Sequence, residues 1–577
     1  MSGAVASTHH LATRAAVEIL REGGNAFDAA VCAGLVLQVV EPHLNGPGGD
    51  LPVIFRKDGA VRVLCAQGPA PAAATIAHYR AEGLALIPGD GMLATVIPGA
   101  FDGWMRLLRD HGTMELARIM APAIALARDG HPLLEGAVRA IAARAAFFAA
   151  HWPGSAALWL DRGKVPQAGA LFRNPVLAQV YARLAGSEGA TREARIDAAR
   201  DGFYRGFVAD EIGRFCTGAF MDESGQAHRG VLSADDMAGY AAHYEAPQSL
   251  DYHGWTVAKT GPWGQGPVLL QSLSMLAGDD LAAMDPSGPD FAHLVIEAQK
   301  LSFADRDIYY ADHDFADVPM DALLSPAYAA PRRAQIGTAA ANALRPGKIA
   351  GYDTAAMQAM LDRLSLPEGA VYEPTMAHLG DAPRGDTVHL DVIDRWGNVV
   401  SATPSGGWLQ SAPVIPALGF CLNSRAQMFW LDEAAPGALR PGARPRTTLS
   451  PTLAWHEDGR VLSCGTPGGD QQDQWQLLFL LRHWHHGMAL QEAADAPSFH
   501  ITHMPASFYP RTRQPGGVVA ESDLPTATLA ALRRKGHVLT EVPAQSAGRV
   551  SAVLRRADGG FDAAITARSG YGLAVVL

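Results

Sequence analysis

Val388 to Ile393 alternates apolar β-formers with polar residues, Asp394 to Asn398 carries turn chemistry, and Val399 to Ala402 reads as a return strand. This pattern predicts a β-hairpin closed by a Gly-Asn turn end. Upstream, Pro367 to Asp386 holds three prolines and three glycines with no apolar period, so a solvent-reachable tether is expected to run into the strand. The same periodicity predicts helices over Leu11–Glu22 and Ala26–Val40, the second apolar almost all round and therefore expected between sheets. A hairpin is expected over Val53–Phe55 and Val61–Cys65, helices over 99–110, 114–130 and 291–310, and a strand at Val461–Cys464 leading to a helix over 471–484. Beyond Ala330 hydrophobic order fades toward the tether.

Composition narrows the classes. In 577 residues, 48% are apolar and 18% charged, as in ordinary globular proteins, and the net charge of −11 comes without a basic stripe. Nucleic-acid and anionic-membrane partners are disfavoured. Cys32, Cys65, Cys216, Cys421 and Cys464 are far apart and odd in number, which predicts reduced buried thiols. No leader peptide or membrane-length apolar run is visible, so the expectation is a cytoplasmic protein.

The chemistry gathers where tether meets strand. Cutting Asp386–Thr387 would make Thr387 a chain terminus with a hydroxyl and an α-amine. That amine titrates near pH ~7.7–8 and can act as base for its own side chain. The bland alternative is a flexible loop before an ordinary hairpin. Farther on, Gly465-Thr466-Pro467-Gly468-Gly469-Asp470 joins a strand to a helix. Its glycines either serve a tight turn or offer backbone N–H groups to an oxyanion. The glycines at 46, 48 and 49 follow a helix and lack a Lys-Ser/Thr, so they do not read as a phosphate loop. His483, His485 and His486 close an apolar helix, where the dipole is reason enough for histidine, and with His500 and His503 they make no ligand set. Trp263, Trp408, Trp430, Trp475 and Trp484 read as core or pocket wall, and no metal or cofactor is called for.

Gly385-Asp386-Thr387-Val388-His389, the 394–398 turn and Thr403-Pro404-Ser405 resemble the nucleophile hairpin of the gamma-glutamyltransferase family. So do Gly23-Gly24-Asn25-Ala26-Phe27-Asp28, Glu41-Pro42-His43 and Gly48-Gly49-Asp50 near the N-terminus. The resemblance spans nearly the whole chain. It implies an α+β fold, the four-layer αββα sandwich of N-terminal nucleophile hydrolases, and a precursor that cuts itself between Asp386 and Thr387. The fragments 1–386, with its tether from about 330, and 387–577 would remain a heterodimer within one sandwich, with a higher oligomer of that pair allowed. It also implies Thr387 as nucleophile, Thr403 and Ser405 orienting it, Gly468 and Gly469 as oxyanion donors, and His389 in support.

The family grips a γ-glutamyl head by an arginine and an acidic residue. Here the arginine position falls on Ile76, the acidic one on Met428, a family glutamine on Arg425, an asparagine on Gly407 and paired serines on Thr447 and Thr448. Arg80, Arg444 and Arg446 are possible substitutes for the missing arginine. The broad reading is hydrolysis or transfer of a γ-glutamyl or similar amide such as glutathione, with Arg425, Thr447, Thr448 and Gly407 at the substrate. Losing both charge partners of an α-amino acid points instead toward an oxamate amidohydrolase-like enzyme for a small amide acid without an α-amine. A catalytically dead scaffold of the same fold is the reading from another class.

Overall fold

The computed structural model describes residues 3–364 and 387–577. The whole Pro367–Asp386 tether lies outside them. Two antiparallel sheets face one another. The first runs Leu573–Val576, Gly3–Ser7, Leu390–Asp394, Val399–Ala402, Leu51–Lys57, Ala60–Ala66 and His243–Glu245. The second runs Phe561–Ile565, Ser551–Arg555, Val461–Gly465, Thr452–His456, Trp255–Lys259 and Gln248–Tyr252.

Three buried apolar clusters occupy the three spaces between four layers. Ala4, Ile54, Val63, Ile393, Leu453 and Val553 fill the gap between the sheets. A second cluster joins the first sheet to helices that include His10–Arg21, Ala26–Val40 and Ala100–His111. The third joins the second sheet to helices such as Pro267–Leu276, Pro289–Tyr309 and Gln472–His486. This is the expected αββα sandwich, with each sheet face covered as its apolar pattern demands.

One placement differs. Helix Ala26–Val40 is buried at every position, but it packs between the first sheet and the outer helices, not between sheets. All-round apolarity demands burial on both sides, and an outer helical layer supplies the second side as well as a sheet does. Its start is tied to the hairpin. Asp394 accepts from the N–H groups of Trp396 and Asn398 at 2.9 and 3.0 Å, and its other oxygen accepts from Ala26 N at 2.9 Å.

The five cysteines are free and buried, and burial pushes the Cys32 thiol up to about 12. Among the described residues no helix is long and apolar enough to cross a membrane.

Candidate active site

The hairpin sets the site through its register. Leu390 faces Ala402 and Asp391 faces Ser401, and the pairing continues to a bridge between Thr387 and Ser405. Because side chains alternate across a strand, residues 387, 389 and 391 share one face with 405, 403 and 401. Three polar cross-strand pairs result. Thr387 Oγ1 lies 3.1 Å from Ser405 Oγ, His389 Nδ1 2.8 Å from Thr403 Oγ1, and Ser401 Oγ donates to Asp391 Oδ1 at 2.9 Å. Thr387 is 2% exposed.

The second sheet closes over this ladder. Thr387 Oγ1 is also 3.2 Å from the Gly468 carbonyl oxygen, so its single proton has two alternative acceptors. Ser551 Oγ donates to Asp391 Oδ2 at 3.1 Å, and Ser463 Oγ donates to Asp391 Oδ1. His389 Nε2 stands 3.0 Å from Asp391 Oδ2, a close approach without aligned hydrogen-bond geometry.

The Gly468–Gly469 turn differs from two open donors. Gly468, at φ 110°, presents its carbonyl to Thr387, and the Gly469 N–H donates to Gln471 Oε1 at 3.2 Å. An incoming oxyanion at Gly469 would displace that amide oxygen. The turn is braced from behind by Asp470, which binds Arg306 and accepts from Ser507 N and Oγ at 2.8 and 2.6 Å. Burial opposes ionisation of Asp470, yet Arg306 and Arg446 outweigh it and hold the carboxyl below its usual range.

Beside the nucleophile lies a residue that sequence reading treated only as part of a signature. Asp50 pairs backbone to backbone with Ser405, at 2.8 and 3.1 Å, and its carboxylate receives Arg425 Nε at 3.1 Å to both oxygens. Gly48 and Gly49 permit this approach, since a Cβ on either would collide with the carbonyls of Cys421 or Ser405. The only prior signal was an acid following a glycine cluster; its partner is 375 residues away.

Arg425 is fully buried, and both terminal guanidinium nitrogens lack a partner among the described residues. Its guanidinium carbon sits 5.0 Å from the Trp408 ring centroid, and Trp408 clusters with Met428 and Phe508. The position where an acidic residue was expected therefore contributes to an apolar wall. Thr448 Oγ1 is buried without a partner among the described residues, whereas Thr447 Oγ1 accepts from Leu449 N at 3.3 Å. Gly407, at φ 67°, packs against Gly48 and Gly49 and lines a small cleft with Trp159 and Cys421.

Two of the alternative arginines, Arg80 and Arg444, are engaged elsewhere. Arg80 pairs with Glu433 at the surface. Arg444 is caged by Asp312, Glu245 and Asp314. Arg446 binds Ser507 at 3.1 Å with Nη1 unpartnered among the described residues, and burial with the Arg306 charge lowers it to about 10. Ile76 packs against the cluster containing Ala426 and Phe429.

Among the described residues two groups have metal-like spacing, Cys65–His243–Glu245 and His293–Glu297–His537. Each already holds a side-chain cation: Arg444 touches all three of the first, and Lys300 donates to Glu297 at 2.8 Å and contacts His537 at 3.3 Å. The terminal histidines of helix Gln472–His486 are not held by its dipole as cations. Burial lowers His483, His485 and His486, while His483 contacts the Met488 carbonyl and His485 the Tyr252 hydroxyl, both at 2.8 Å.

The model of the Gamma-glutamyltranspeptidase family matches residues 12–575. The chain belongs to that family. It is 31% identical to the oxamate amidohydrolase proenzyme of Klebsiella pneumoniae over 581 residues, 98% of this chain and 97% of that protein. A solved LmbA2991 structure is 46% identical, with TM-score 0.93 over 100% of this chain and 98% of the other. Cephalosporin acylase from Bacillus halodurans is 28% identical, with TM-score 0.82 over 100% and 96%. The protein is thus a gamma-glutamyltransferase-like enzyme of the N-terminal nucleophile amidohydrolase type.

Proposed function

We propose that this enzyme cuts itself between Asp386 and Thr387 and then hydrolyses or transfers a small amide acid through an acyl-enzyme on Thr387. The freed amine takes the Thr387 hydroxyl proton, the oxygen attacks the amide carbonyl, and the Gly469 N–H, released from Gln471, receives the oxyanion. Ser405 holds the hydroxyl. Collapse expels the amine of the substrate, which leaves with the proton that the Thr387 amine had taken, and water or another amine, deprotonated by that same amine, then takes the acyl group and frees the Thr387 hydroxyl.

The fragments stay together after the cut because their strands interleave. Leu390–Asp394 lies between Gly3–Ser7 and Val399–Ala402, and Trp255–Lys259 pairs with Thr452–His456.

The observation carrying the substrate reading is Arg425, with two buried, unpartnered guanidinium nitrogens beside the hairpin. Such a fork suits one planar carboxylate. The Trp408–Met428–Phe508 wall offers no charge to an α-ammonium group, whose burial unpaired is unfavourable. We therefore assign an amide acid without an α-amine in preference to a γ-glutamyl substrate. Parallel assays with oxamate and a chromogenic γ-glutamyl anilide test this. Turnover of oxamate that depends on Arg425 is expected; strong γ-glutamyl release unaffected by Arg425→Lys would reject it.

A further inference from the structure

The Gly468 carbonyl oxygen stands where the reaction needs an oxyanion, and the side chain that donates to it is unused by the acyl-transfer steps. We propose that the Gln472 amide is a second oxyanion donor, occupied by that carbonyl until a turn of the 468–469 peptide clears the place. This rests on the reading of Thr387 as nucleophile.

The Gly468 oxygen is reached from two sides. Thr387 Oγ1 lies 3.2 Å from it, and Gln472 Nε2 donates to it from the first turn of helix Gln472–His486. A place about 3 Å from both a nucleophile and a donor is where the oxygen of an attacked carbonyl has to sit. The direction of the Gln472 amide follows from its other end. Gln472 Oε1 accepts from Ser450 N at 3.0 Å, so the NH2 group is the end turned to Gly468. The side chain is fully buried.

The Gly468 carbonyl and the Gly469 N–H belong to one trans peptide, so they point in opposite directions. While the carbonyl faces Thr387, the N–H faces Gln471 Oε1 at 3.2 Å, away from the nucleophile. The Gly469 N–H therefore reaches an oxyanion on the Thr387 side only after this peptide turns over. Such a turn changes ψ of residue 468 and φ of residue 469. Both are glycines, which lack the Cβ that restricts these angles. The next peptide is held: Gln265 Nε2 donates to the Gly469 carbonyl at 3.2 Å, and Asp470 is braced by Arg306 and Ser507. The movement is thereby confined to one peptide unit. It withdraws the Gly468 oxygen, brings the Gly469 N–H to the same place, and leaves Gln472 Nε2 aimed there. The substrate oxygen takes that place. When Thr387 bonds to the amide carbon, the C=O electron pair moves onto this oxygen, and it returns on collapse. Two donors then meet the charge in a buried site.

Two reagents that label Thr387 separate this role from a structural one. A β-lactone acylates through a tetrahedral oxyanion, whereas a vinyl sulfone alkylates without charging a carbonyl oxygen. Rates are taken per mole of Thr387 N-terminus on the purified protein. Gln472→Glu keeps the bond from Ser450 and replaces the donor by an acceptor; Gln472→Met keeps the volume and loses both. Each is expected to slow acylation about a hundredfold or more, while alkylation stays within about threefold. Equal slowing of both reactions would mark Gln472 as structural and overturn the assignment, as would wild-type acylation rates in the variants. A folded variant that never frees Thr387 also overturns it, since the amide would then serve the cut and not the substrate. Should one variant not fold, the other decides. Wild-type protein that neither reagent labels at Thr387 overturns the nucleophile itself, a separate failure.

Discussion

The imidazole of His389 occupies the volume that a side chain at Gly465 would need. One residue belongs to the nucleophile hairpin and the other to the facing sheet, so the closeness of the two sheets at this point is set by the absence of one methyl group. Both are fully buried, so neither has solvent to move into. Gly465→Ala is expected to destabilise by about 1–3 kcal/mol and to lower turnover, as read by denaturant midpoint and rate. Gly278→Ala, where an added Cβ meets nothing within 4 Å, should stay within about 0.5 kcal/mol.

Arg425 and Asp50 form a buried pair that holds two loops together, and burial keeps the Asp50 carboxyl above its usual range despite the arginine. Arg425→Ala leaves that acid alone and should cost about 3–5 kcal/mol in stability. Arg425→Lys keeps a cation but loses the fork. It is expected to raise KM for a carboxylate substrate about tenfold or more while kcat falls less, measured by steady-state kinetics on folded protein.

Glu245 supplies a pH test away from the chemistry. Burial would raise its carboxyl, but hydrogen bonds from His243, Arg444 and Trp263 bring it down from an ordinary 4.5 to about 2. A depressed carboxyl adds stability that is complete above the unfolded value and is lost as pH falls from 4.5 through 2. Glu245→Gln should therefore be less stable at neutral pH and show a flatter decline over that window in thermal melts.

Gly469→Pro removes the backbone donor now turned to Gln471. A loss of about a hundredfold or more in turnover is expected, with KM changed much less. Stopped-time assays of both parameters check it.

The local pattern reveals local structure and little else. Alternation at 388–393 and the turn at 394–398 locate the hairpin because both signals lie within a few residues. The strand Gly3–Ser7, a run of small residues, carries no alternation, yet it is inserted between Leu573–Val576 and Leu390–Asp394. That placement depends on partners more than 380 positions away. Asp50 and Asp391 were hidden for the same reason. Asp391 reads as a polar position in an alternating strand, and only the second sheet, through Ser463 and Ser551, makes it a buried carboxylate. The departure at Met428 was visible in sequence as a lost acid, while the wall it forms with Trp408 and Phe508 required the fold.

The central claim is that Thr387 becomes a chain terminus and the nucleophile. Denaturing electrophoresis with N-terminal sequencing of the purified protein tests it most directly. The account predicts two fragments that copurify, the smaller beginning Thr387-Val388-His389, and a single inactive chain for Thr387→Ala. A wild-type chain that stays intact while fully active, or a Thr387→Ala variant that still splits at this bond, would contradict it.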